Sequence, residues 1–182
     1  MADDTRESDK SGVTTAASSG GALPKRTSKG VVLGKDGKPC RSCTSFADFT
    51  KSTSSIARTS HPHTLSGPPP DCPPDVETLG RSSWTLLHSI TASYPTSPTP
   101  TEQSNARQFL GLFGKLYPCW VCAEDFQEWM EENKVRTESR EEFGRWMCEA
   151  HNNVNRKLGK KEFDCNLWEE RWRTGWKNGS CD

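Results

Sequence analysis

Cys119-Trp120-Val121-Cys122 lies between Tyr117-Pro118 and the run Ala123-Glu124-Asp125-Phe126-Gln127-Glu128-Trp129-Met130. The proline ends one element, and the run that follows has the composition of a helix. The pair therefore sits in a helix's first turn, where unpaired backbone N–H groups and the positive end of the macrodipole favour thiolate over thiol. That position marks a reactive dithiol carried by a helical domain.

Outward from this stretch the chain divides in two. All seven tryptophans lie from Trp84 onward, and five of the seven phenylalanines from Phe109 onward. Residues 1–70 hold 10 Lys/Arg against 6 Asp/Glu, and residues 71–182 hold 14 against 18. A neutral total thus hides a mildly basic arm on a mildly acidic domain, and neither imbalance is large enough to argue for nucleic acid. The first ten residues are polar, with no apolar signal region, and no apolar run reaches the roughly 18 residues of a membrane span. Residues 1–71 are rich in Ser, Thr, Gly, Pro and Lys, a composition that reads as a long disordered arm, as do His61 and His63 within it. Its one island is Cys40-Arg41-Ser42-Cys43, followed by Phe46 and Phe49.

Residues 72–182 read as all-α: a four-helix bundle with a short fifth helix. The first helix starts at Pro74-Asp75, with Val76, Leu79, Ser83, Leu87, Ile90 and Tyr94 as its apolar stripe. Thr99-Pro100-Thr101-Glu102 is a capping box with proline at the first helical position. The face behind it is Ala106, Phe109, Leu110, Phe113 and Leu116. The third helix carries the dithiol and runs to about Asn133. Ser139 with Glu142 opens the fourth, which packs Phe143, Met147, Ala150, Val154 and Leu158 and stops at Gly159. The fifth covers about Asp164 to Arg173.

Two helices carry a second, polar stripe. On the first it is Arg81, Trp84 and His88; on the fourth it is Cys148, His151, Asn152 and Asn155. Such groups can line a site for a flat polar ligand, or simply form solvated faces. Eight cysteines without a secretory signal point to zinc, redox catalysis or an oxidising compartment. Joining both Cys-x-x-Cys pairs at one zinc spans far more sequence than a zinc ribbon uses. A disulfide between Cys148 and Cys165 would tie the fourth helix to the fifth, worth roughly 3 kcal/mol by loop entropy. The rival to an enzyme is a non-catalytic binding module, zinc-held or disulfide-stapled.

Four segments resemble the Erv/ALR family of FAD-linked sulfhydryl oxidases. They are Leu79-Gly80-Arg81-Ser82-Ser83-Trp84-Thr85-Leu86-Leu87-His88, the stretch from Tyr117 to Phe126, Cys148 to Leu158, and Phe163-Asp164-Cys165 with Arg171-Trp172. The resemblance covers about residues 71–181 and implies a helical bundle holding FAD noncovalently. It implies flavin or adenine contacts from Gly80, Arg81, Ser83, Trp84, His88, Cys148, His151, Asn152 and Asn155. Lys157, Lys160, Arg171 and Trp172 would complete the pocket near phosphate and adenine. It also implies that Cys119–Cys122 is the redox disulfide beside the flavin, with Cys122 facing the flavin and Cys119 exchanging with incoming thiols. Cys40–Cys43 looks like the shuttle pair of mitochondrial members, reaching the redox disulfide across a dimer interface. Cys148–Cys165 has the family's spacing, and Cys72 and Cys181 match cysteines that link subunits in some members. The resemblance further implies a homodimer in the mitochondrial intermembrane space. Its partner there would be the import oxidoreductase with reduced cysteines, and its acceptor oxygen or cytochrome c.

Overall fold

A computed structural model describes residues 25–53 and 71–181. Its helices are α1 (Phe46–Thr53), α2 (Val76–Ser93), α3 (Pro100–Leu116), α4 (Trp120–Glu132) and α5 (Arg140–Lys157). 3₁₀ turns at Arg41–Cys43 and Cys165–Leu167 and a π-helical turn at Glu170–Thr174 complete the order. The all-α bundle expected from the periodicity is the observed fold, formed by α2 to α5.

Local chemistry sets the helix starts. Asp75 caps α2 by accepting the Thr78 N–H. Thr99 and Glu102 form the reciprocal box at α3, with Pro100 just inside. Ser139 caps α5 by accepting the Glu142 N–H. Past the end of α5, Gly159 takes φ +66°, a conformation glycine adopts without steric cost. α2 packs on α5 and α3 on α4. Leu87, Tyr94, Leu110, Phe143, Trp146 and Met147 form the buried centre, each large apolar side chain contributing on the order of 1.5–3 kcal/mol.

Three sequence expectations are revised. Leu116 and Leu158 belong to the expected apolar stripes yet are 77% and 62% exposed, because each lies at a helix end that its neighbours do not cover. The short fifth helix is a 3₁₀ turn running into a π-helical one. The arm, read as disordered throughout, has defined structure over residues 25–53. Val31 and Val32 are buried there, and two antiparallel bridges, Arg26 with Val32 and Leu33 with Pro39, fold the segment on itself. Buried Thr44 accepts the Val32 N–H and donates to the Cys40 carbonyl, holding the two passes together. Composition hides this because two adjacent valines carry the burial and side-chain bonds replace a repeating pattern. His61, His63 and the rest of the arm lie outside the described residues.

Candidate redox and cofactor site

The dithiol motif opens α4 as its spacing predicts. Cys119 is the N-cap residue and is fully buried, and its Sγ accepts the Cys122 N–H at 3.4 Å. Cys119 and Cys122 are joined as a disulfide. On reduction, that N–H and the end of the helix would stabilise a Cys119 thiolate. Burial raises the phenol pKa of Tyr117, just before the pair, opposed by the nearby Ser83 hydroxyl of α2.

Immediately after Ser83, α2 presents Trp84 and, one turn later, His88 toward α5 and the π-helical turn. Trp84 stacks on His151, centroids 4.1 Å apart and planes within 5°. His88 stacks on Trp172 at 4.3 Å and 3°. His88 Nε2 and His151 Nδ1 lie 3.0 Å apart, so one ring donates and the other accepts. Burial, then the neighbouring His151 and Arg171 charges, lowers the His88 pKa to about 3. Burial and then Lys160 lower that of His151 to about 4. Both imidazoles are therefore neutral near pH 7. His88 Nδ1 is buried with no hydrogen-bond partner among the described residues. The Arg171 guanidinium lies over Trp172 at 4.4 Å.

The polar stripes thus converge, but not every expected residue joins them. Asn152 spends its amide on the loop before Cys165: its Nδ2 donates to the Phe163 carbonyl and its Oδ1 accepts the Phe163 N–H, both at 2.8 Å. Asn155 donates to that same Oδ1. This clasp delivers Cys165 to Cys148, and the two are bonded. Arg81 is exposed, 4.0 Å from Glu77. Lys157 pairs with Asp125. Gly80 has open space where a side chain would stand. Cys72 and Cys181 are exposed free thiols.

In the arm, Cys40 and Cys43 are bonded, and Val32, Cys43 and Cys119 form one buried cluster. Sequence reasoning missed what holds them. Trp120, between the two domain cysteines, donates its indole N–H to the Leu33 carbonyl at 2.9 Å. Asp75 accepts the Thr78 N–H on one oxygen and the Phe46 N–H on the other, at 2.9 and 2.8 Å. The Pro74-Asp75 helix start signals the first bond, while nothing local signals the second.

A helical bundle with a disulfide at one helix N-terminus and stacked neutral imidazoles and indoles nearby defines a thiol-redox protein with an aromatic cofactor site. The chain belongs to the Erv1/Alr family, whose pattern matches residues 81–173. It is 47% identical over 167 residues to the mitochondrial FAD-linked sulfhydryl oxidase ERV1 of Saccharomyces cerevisiae, covering 80% of this chain and 88% of that one. The corresponding Schizosaccharomyces pombe enzyme, also named mitochondrial, is 38% identical over 78% of this chain and 90% of its own length. The crystal structure of the FAD-binding domain of the S. cerevisiae protein matches with TM-score 0.56 and 59% identity, over 58% of this chain and 100% of that one.

The residues present fit FAD. The unpartnered Nδ1 of His88 can bond a heteroaromatic edge, stacked indole and imidazole faces suit flat rings, and Arg171 and Lys160 supply positive charge for a pyrophosphate.

Proposed function

We propose that the chain is a FAD-linked sulfhydryl oxidase that makes disulfides through Cys119 and Cys122. The carrying observation is that α2 joins the two halves of the chemistry, packing Val76 into the cluster that holds the dithiol and building the aromatic site through Trp84 and His88. Bound FAD would supply the two-electron acceptor that a dithiol requires. The chain's residues do the rest. The N-terminal end of α4 stabilises the Cys119 thiolate. Trp84, His88, His151, Asn155, Lys160, Arg171 and Trp172 hold and orient the cofactor. Cys148–Cys165, with Asn152, fixes α5 against the segment that carries Trp172.

Residues 1–71 form an arm whose Cys40–Cys43 disulfide accepts electrons from substrate thiols, and residues 72–182 form the oxidase domain. The class of substrate is a protein dithiol, and the import oxidoreductase of the mitochondrial intermembrane space is the partner we infer. Electrons pass on to oxygen or cytochrome c. The working unit is a homodimer. An apolar groove of about 340 Å³ along α2 and α3, lined by Leu79, Phe109, Leu112, Phe113 and Leu116, supports that reading. Among the described residues no helix is long and apolar enough to cross a membrane.

The test is direct. Purified protein is expected to show flavin absorption and to consume oxygen when given dithiothreitol. Cys122→Ser, with Cys119→Ser alongside, is expected to lower turnover at least about 1,000-fold with the flavin spectrum retained, since each breaks the only disulfide able to carry the pair onward. Full turnover in Cys122→Ser would exclude the assignment.

A further inference from the structure

Residues 25–39 hold five cations, Lys25, Arg26, Lys29, Lys35 and Lys38, against one carboxylate, Asp36. All five cationic residues are exposed. The backbone beneath them is fixed as a basic hairpin by the Arg26–Val32 and Leu33–Pro39 bridges, with Val31 and Val32 buried under it. The Leu33 N–H bonds the Lys25 carbonyl at 2.9 Å, and the Gly34 N–H bonds the Lys38 carbonyl at 2.7 Å, which sets Lys25 and Lys38 on the passes flanking Leu33. The last pass runs straight into the arm's disulfide, where the Cys40 N–H bonds the Val32 carbonyl at 2.9 Å. Cys43 is 7% exposed while Cys40 is half-buried, so Cys40 is the sulfur that an incoming thiolate reaches. Lys35 pairs with Glu124, and Asp48 bonds Lys51 within the field of Arg26. The Lys25 and Lys38 side chains make no hydrogen bond or ion pair among the described residues. α4 has the opposite character: it carries Glu124, Asp125, Glu128, Glu131 and Glu132 and no Lys or Arg. A disulfide in positive surroundings thus stands beside one in negative surroundings.

We propose that this hairpin is a docking surface for acidic polypeptides that carry a reduced dithiol, and that Lys25 and Lys38 draw them to Cys40. This rests on the oxidase reading above and adds the charge class of its protein substrate. Fixed cations raise the local concentration of an anionic partner and speed its encounter. They also favour thiolate over thiol, both on the incoming sulfur and on the one it displaces. The partner's thiolate attacks Cys40, forming a partner–Cys40 disulfide and releasing the Cys43 thiolate. Its second thiolate then attacks the partner sulfur of that bond, leaving an oxidised partner and a Cys40 thiolate. Two electrons pass from the partner's dithiol to the arm's, and the partner's two protons go to solvent or to the new thiolates. An acidic partner meets attraction beside Cys40 and repulsion along α4, and selectivity needs both. Val31, Val32 and Leu33 are not exposed, so the surface offers charge without an apolar anchor for a membrane. The disulfide among the cations serves only a partner that has thiols.

Reduction of the arm disulfide by model peptides tests this in the full chain carrying Cys72→Ser, Cys181→Ser, Cys119→Ser and Cys122→Ser, in which electrons stop at Cys40 and Cys43. The probes are three reduced peptides with a Cys-Gly-Gly-Cys centre, flanked by glutamates, by serines or by lysines. Loss of Cys40–Cys43 is followed by acid quench, alkylation and mass. Lys25→Glu with Lys38→Glu is compared with Lys25→Arg with Lys38→Arg, so each peptide's own thiol reactivity cancels in the ratio. At about 0.02 M salt the glutamate substitutions are expected to slow the glutamate peptide at least about tenfold, to speed the lysine peptide, and to leave the serine peptide within about twofold. At about 0.5 M salt every difference is expected to shrink below about threefold. Equal slowing of all three peptides would mean a disturbed hairpin, and a preference that is absent or indifferent to salt would mean that charge plays no part; either overturns the proposal. Equal peptide rates, with phosphatidylserine vesicles sedimenting the arginine chain but not the glutamate chain, would assign the surface to a membrane and overturn it too. Flavin absorption and dithiothreitol turnover of the unmutated chain report the oxidase reading separately. A yellow, active protein without the peptide preference sinks only the docking surface, and the preference in a colourless, inactive one sinks only the oxidase reading.

Discussion

His88 is 2% exposed, with one nitrogen shared with His151 and the other without a hydrogen-bond partner among the described residues. An imidazolium there would be desolvated and beside His151 and Arg171, and that is why its pKa falls to about 3. The sign of the pH effect follows. The unfolded chain binds protons on His88 and His151 near pH 6.5, whereas the folded chain resists them until about 3 and about 4. Stability is therefore full above about 6.5 and falls with pH from there, by up to about 1.4 kcal/mol per pH unit for each such proton. Melting curves between pH 7 and pH 4.5 are expected to show a falling Tm, and His88→Gln to flatten that slope. An unchanged slope would mean that the pair is already charged in the fold. Asp75 titrates in the other range. Burial pushes its carboxyl up, but the bonds from Thr78 and Phe46 outweigh this and hold it below the usual carboxylate value, so its clasp persists until strongly acid pH.

α5 meets the final turns through one absent side chain. A Cβ on Gly144 would stand 2.5 Å from the Trp168 ring, and that ring is itself 2% exposed. Gly144→Ala must move a buried indole, and is expected to cost about 1–3 kcal/mol, a Tm fall of about 3–10 °C. Gly111→Ala in α3 meets nothing within 4 Å and is expected to leave Tm unchanged or raise it slightly. A fall of equal size in both would show that helix geometry, not Trp168, sets the cost. Neither glycine differs from the other in the sequence, and this marks the limit of reading one. The helices themselves were legible, since Thr99 with Glu102 and the spacing of Leu87, Phe143 and Met147 encode caps and faces locally. Trp84, His88 and His151 were legible as stripes for the same reason. Pairings across the chain were not. Asn152 shares the polar stripe with His151, yet its amide bonds Phe163 through both of its polar atoms. Val31 and Val32 are two valines in a polar arm, and only Thr44, Trp120 and Asp75, supplied from elsewhere, make them a core.

Across the molecule, residues 1–70 carry an excess of 4 positive charges and residues 71–182 an excess of 4 negative ones. Among the described residues the one ion pair between arm and domain, Lys35 with Glu124, is exposed and worth under about 1 kcal/mol. Burial of Val32 and the two anchoring bonds must therefore dominate, so added salt should loosen the arm little. Leu79 and Ser83 of α2 border a different surface. Leu112 and Leu116 are 58% and 77% exposed at the rim of the apolar groove, with Leu86 54% exposed on α2. Monomers seldom leave such leucines clustered in water, and a second copy of the chain is the occupant of the proposed homodimer. Leu112→Glu with Leu116→Glu, made with Cys72→Ser and Cys181→Ser so that no covalent link intervenes, is expected to raise the dimer Kd at least about 30-fold, the effect of losing one strong contact. Sedimentation at micromolar protein checks it. The parent is expected as a dimer and the double glutamate variant as a monomer that keeps its helical content, whereas a variant dimer of unchanged affinity would place the subunit contact on another face.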